Sequence, residues 1–144
     1  MPRAPVWAAT YSDSANSQSY LYGVEYEVPF DPFSHENTEV VNLRDAPCAV
    51  CRLVRRSTSL VLPAALGCPD GNWTEEYRGF LMSGRHNEEQ RSSAVCVDQA
   101  PEAVPGSQAS VDGARLYIIE GQCGSLLCPP YVSLREITCT VCSI

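Results

Sequence analysis

Sulfur dominates the chemistry open to this sequence. Eight cysteines occur in 144 residues: Cys48 and Cys51 form one Cys-x-x-Cys, Cys139 and Cys142 another, and Cys123, Cys128, Cys68 and Cys96 make up the rest. Two Cys-x-x-Cys pairs supply the four thiolates of a tetrahedral zinc site. Here, however, the pairs lie 91 residues apart and four further cysteines would be left over. An oxidised framework uses all eight and belongs to an extracellular compartment. A strained Cys48–Cys51 bridge would be redox-active, but no thioredoxin-like βαβ pattern accompanies it.

Other reactive groups are thinly spread. His35 and His86 sit in polar stretches, and no motif joins either to a cysteine nucleophile. Glu75-Glu76 and Glu88-Glu89 are neighbours in the chain, and adjacent residues on a strand point to opposite faces. They read as solvated acidic surface, not as the facing carboxylates of a glycosidase. Asp13, Asp31 and Glu36 lack the spacing of an EF-hand loop. No catalytic residue, metal ligand or cofactor site is assigned. Asn72-Trp73-Thr74 is a glycosylation sequon beside the turn Cys68-Pro-Asp-Gly71. Trp7, Tyr11, Trp73, Tyr77 and Tyr131 have two readings, as core or as platforms that stack on sugar rings, the latter for those in loops such as Trp7 and Tyr131.

The charge pattern excludes several partners. The chain has no lysine, ten arginines, seventeen acids and a net charge of −7. Without a basic stripe to displace counterions from phosphates, it should bind neither nucleic acid nor anionic membranes. Arg52, Arg55 and Arg56 read as a solvated turn. No apolar run is long enough to cross a bilayer. Met1-Pro2-Arg3-Ala4-Pro5 lacks the apolar centre of a signal peptide, so an extracellular location calls for a signal outside this chain.

Apolar residues nowhere hold a helical period over three turns, and the spacing predicts a mostly β domain spanning 1–144. Strands are expected at Ser19–Glu27, Ser57–Leu62, Trp73–Met82, Ala94–Val97, Arg115–Glu120 and Glu136–Ile144. Pro47–Leu53 is a short apolar segment, and residues 1–18 and 101–113 are loops rich in proline and small polar residues. The ending Glu136-Ile-Thr-Cys-Thr-Val-Cys142 echoes Asp45-Ala-Pro-Cys-Ala-Val-Cys51. Leu21-Tyr22 with Glu25 likewise answers Leu116-Tyr117 with Glu120. The chain therefore reads as two related cysteine-rich β units packed together, a truncated one in 1–56 and a complete one in 57–144.

Several phrases carry a family resemblance. They include Tyr20-Leu-Tyr-Gly-Val-Glu-Tyr26, Pro47-Cys-Ala-Val-Cys-Arg52, Trp73-Thr-Glu-Glu-Tyr77 and Cys123-Gly-Ser-Leu-Leu-Cys-Pro-Pro-Tyr131. On these the chain resembles the short-chain collagen C4-like family of invertebrate extracellular proteins, over nearly its whole length. The resemblance implies a secreted, non-enzymatic globular domain with a matrix or assembly role, whose partners are a matrix protein, a glycan or further copies of itself. The alternative is a secreted glycan-recognition protein. No Gly-x-y repeat is present, and the cysteines that open the family's first copy are missing. Cys123 is expected to pair locally with Cys128, and Cys68 and Cys96 with Cys139 and Cys142. A bridge between Cys68 and Cys142 would close most of the second unit. Cys48 and Cys51 then pair with each other, stay free, or bind a missing segment.

Overall fold

The computed structural model describes residues 7–10, 21–34, 40–49, 51–87, 92–111 and 113–144. Tyr11, Asp13, His35, Glu36, Glu88 and Glu89 lie outside these residues, as do Tyr20 and the polar run 12–17. Among the described residues there are six strands and no helix. The strands are β1 (Val24–Tyr26), β2 (Ser59–Pro63), β3 (Thr74–Ser83), β4 (Val95–Asp98), β5 (Ala114–Ile118) and β6 (Thr138–Ser143). They form one mixed sheet in the order β1-β5-β3-β6-β2, with β4 also on β3. Only β1 and β5 run parallel; the other pairings are antiparallel.

The ten-residue β3 is the spine. One of its edges pairs with β6 over Thr74–Phe80 and then with β5 at Met82 and Ser83; the other pairs with β4 over Gly79–Met82. Gly79 makes this crowding feasible, because a Cβ there would lie 1.9 Å from the Val97 carbonyl oxygen. Proline lacks a ladder donor and is confined to sheet margins, which suits Pro63 at the end of the edge strand β2. Of the strand expected over Ser19–Glu27, the described residues form β1 from Val24. Its alternation would bury Tyr22, yet Tyr22 is 47 % exposed, and β5 offers partners for three residues alone.

The two halves of the sheet are held differently. Over β5, β3 and β4, the loops around β1 supply a hydrophobic core of Tyr26, Val28, Phe33 and Val41 against Met82. Phe33 meets Phe80 edge to face, with ring centres 5.5 Å apart. Over β6 the buried residues are Cys139, Thr140, Cys142 and Ser143. There sulfur and polar contacts stand in for apolar bulk: Thr140 donates to the Ala65 carbonyl at 3.0 Å and Ser143 to the Glu76 carboxylate. The described residues make one sheet.

Candidate functional site

Three disulfides form: Cys68–Cys142, Cys96–Cys139 and Cys123–Cys128. Cys139 and Cys142 are three residues apart in β6 and so face opposite sides of the sheet. One meets Cys96 on β4, the other Cys68 in the β2–β3 connection. Since both are bridged, neither can serve as a zinc thiolate. Cys48 and Cys51 are exposed and unbridged, so an oxidised set of four bridges is corrected to three. The physical reason is a missing counterpart, for no strand carries a second Cys68 or Cys96 past the first pair.

The segments that deliver the two Cys-x-x-Cys pairs share a backbone frame. In the first, Tyr26 N donates to Arg44 O (2.9 Å), Leu43 N to Tyr26 O (2.8 Å), Arg44 N to Val41 O (3.1 Å) and Ala46 N to Val24 O (2.7 Å). In the second, Gly121 N donates to Arg135 O (2.9 Å), Leu134 N to Gly121 O (2.8 Å), Arg135 N to Val132 O (3.3 Å) and Ile137 N to Ile119 O (2.8 Å). Glu25 bridges Asp45 as Glu120 bridges Glu136. Leu43 and Leu134 both adopt the left-handed region, with φ of 59° and 62°, where a side chain other than glycine is uncommon. The sequences behind the frame are Val41-Asn-Leu-Arg-Asp45 and Val132-Ser-Leu-Arg-Glu136. This signal is readable in the chain, and it extends the Cys-x-x-Cys echo upstream.

Two clefts flank these frames. One, of about 690 Å³, is lined by Tyr26, Pro47, Cys48, Tyr77, Val95 and Arg115 among others. Its two tyrosines are anchored: the Tyr26 hydroxyl donates to Glu102 O at 3.2 Å and the Tyr77 hydroxyl to Cys96 O at 3.1 Å. Burial pushes the Tyr26 phenol up to about 12, and negative charge at Cys48 and then Glu102 acts in the same direction. Tyr77 is raised by burial, then by charge at Asp98 and at Cys51. Each unbridged cysteine therefore lies within electrostatic reach of one wall of the cleft.

The other cleft, of about 710 Å³, holds Arg85, His86, Tyr117 and Glu120. The Arg85 guanidinium lies 5.8 Å from the centre of the Tyr117 ring. Among the described residues, the lining of this cleft holds His86, one carboxylate, Glu120, and no cysteine. Trp7, Trp73 and Tyr131 line neither cleft. Trp7 is exposed, while Trp73 and Tyr131 are half-buried. Asn72 is exposed in the bend before β3. Glu75 is held by Arg78 at 2.8 Å, while Glu76 takes Ser143 and lies 4.0 Å from Arg56. The Asp31 carboxylate accepts from Phe33 N at 3.0 Å. No group of three or more His, Cys, Asp or Glu with metal-binding geometry occurs among the described residues.

Comparison with protein-family models, with curated proteins and with solved structures finds no match to this chain.

Proposed function

We propose that this chain is an extracellular, disulfide-braced β domain of the short-chain collagen C4-like type, acting as a non-enzymatic matrix or assembly module. The observation that carries the proposal is the bracing of β6 through both faces, by bridges spanning 43 and 74 residues. Bridges that link distant parts of a chain persist where the surroundings are oxidising. The exposed Asn72 fits passage through a compartment that adds glycans to Asn-x-Thr. The lysine-free acidic composition favours solubility over attachment to polyanions. No helix of the described residues is long and apolar enough to cross a membrane.

The test is to tag the full-length protein in its own cells and recover it from medium and from lysate, with thiols alkylated first. The reading expects protein in the medium with the three bridges formed and a glycosidase-sensitive mass at Asn72. Protein confined to the cytosol with all eight cysteines alkylated would overturn it.

A further inference from the structure

We infer that the cleft beside Cys48 is a binding site for a small amphipathic cation, an apolar chain or ring that ends in an ammonium group. The inference goes beyond the matrix reading and does not depend on it. Size and walls come first. The volume of about 690 Å³ falls within the range of roughly 300–1,000 Å³ typical of small-molecule sites. One wall is the parallel pair β1 and β5, through Val24, Tyr26 and Leu116. The other is β4, through Val95 and Val97, with Tyr77 of β3 beside it. Val95 is 43 % exposed, so an apolar ligand body has hydrocarbon surface there to cover, and that burial supplies the non-directional part of the binding.

The polar groups decide the head. Two carboxylates line the cleft, Asp98 and Glu102, and among the described residues neither forms an ion pair. Asp98 uses Oδ1 to accept from Ala100 N at 2.8 Å. Among the described residues Arg115 is the one cation of the lining, and its Nε lies 3.8 Å from the Glu27 carboxylate. The Tyr26 and Tyr77 hydroxyls already give their protons to the Glu102 and Cys96 carbonyls, and the Cys48 thiol is turned to Ala46 O at 3.9 Å. What these three groups have left to offer a ligand are lone pairs. The phenols register the negative potential of the cleft. After burial, charge at Cys48 and at Glu102 pushes Tyr26 up, and charge at Asp98 does the same to Tyr77. A lining with two carboxylates against one engaged guanidinium attracts a cationic head and repels an anionic one.

Cys48 makes the site report on itself, because its thiol lies in the lining, whereas Cys51 is exposed and outside it. The test follows the alkylation rate of each thiol on the folded 144-residue chain by peptide mapping. Decylammonium, decanol or decyl sulfate is added below its micellar concentration. Decylammonium is expected to slow Cys48 relative to Cys51 at a concentration about tenfold below that needed with decanol. Decyl sulfate should be weaker still, and added salt should narrow both gaps. The variant D98N/E102Q, first shown to keep the three mapped bridges, is expected to bring the three probes to within about twofold of one another. Equal protection by all three probes in the unaltered chain would overturn the inference. So would an absence of protection by decylammonium, or an unchanged preference for it in D98N/E102Q. Protection of Cys48 that grows with chain concentration alone would show a second copy in the cleft and overturn it as well. These outcomes leave the location of the protein and its three bridges untouched, so the extracellular reading stands or falls separately.

Discussion

Residues 41–51 and 132–142 carry nearly the same sequence, and their first halves fold alike while their second halves do not. Both begin with Val-x-Leu-Arg and an acid, and both place a leucine at positive φ. The turn is repeated because few contacts determine it: one backbone hydrogen bond within it and three to one neighbouring segment. The strand that follows is a tertiary matter. Cys139 and Cys142 are buried because β2, β3 and β4 surround them, and Cys48 and Cys51 are exposed because nothing equivalent does. A Cys-x-x-Cys phrase therefore does not fold itself. Its cross-links depend on what the rest of the polypeptide brings to it.

The largest expected effect comes from treating the two pairs identically. Replacing Cys68 and Cys142 by alanine should cost about 4 kcal/mol on the chain-entropy account of a bridge spanning so long a loop. Replacing Cys48 and Cys51 in the same 144-residue chain should cost less than about 0.5 kcal/mol, as for exposed positions generally. Denaturant unfolding of the two double variants measures both. Equal losses would mean that the first pair is already part of the folded framework.

Next in size is Gly79→Ala. The added methyl would collide with the Val97 carbonyl and the peptide after it, which should cost about 3 kcal/mol by overpacking. Because β4 carries Cys96, the same variant should slow formation of the Cys96–Cys139 bridge during refolding, leaving Cys123–Cys128 untouched. Quenched refolding with peptide mapping would show it, and unaltered kinetics would contradict the assignment of β3 as the spine.

A smaller effect probes the shared turn directly. Leu43→Val and Leu134→Val place a β-branched side chain at positive φ, and each should destabilise by about 1 kcal/mol. A loss at one position and none at the other would argue that the two turns are not equivalent. The least effect at neutral pH belongs to Tyr26, which matters in alkali. Its phenol is held neutral by the fold up to about 12, against 10 in the unfolded chain. The unfolded chain therefore releases its proton first, and the stability held below pH 10 is lost as the pH rises toward about 12. Tyr26→Phe should flatten that part of the stability curve; an unchanged alkaline slope would mean that the phenol is not the group responsible.

How much of this was legible in the chain follows from what is local and what is not. Ser57–Leu62 and Glu136–Ile144 announce strands through β-branched runs; β6 lies within the second, and β2 overlaps the first and ends one residue past it at Pro63. Ser19–Glu27 alternates just as well but yields only Val24–Tyr26, because pairing with β5 decides its length and no residue in 19–27 encodes that. The parallel placement of β1 against β5 was equally illegible, as was the burial of Glu25 at 1 % exposure. Leu134 and Leu43 carried a readable repeat in their Val-x-Leu-Arg context. Trp7, Trp73 and Tyr131 showed their ring type but not their position, and the structure puts them outside both clefts. Cleft walls join residues from five separate stretches, and only folding brings those together.

The most direct measurement is a thiol count on the 144-residue chain folded under oxidising conditions. Native alkylation followed by peptide mapping should find two labelled cysteines, Cys48 and Cys51, with Cys68, Cys96, Cys123, Cys128, Cys139 and Cys142 protected as three bridges. A chain with no reactive thiol, its first pair closed on itself, would contradict the claim that only the pair in β6 is built into the bridged framework.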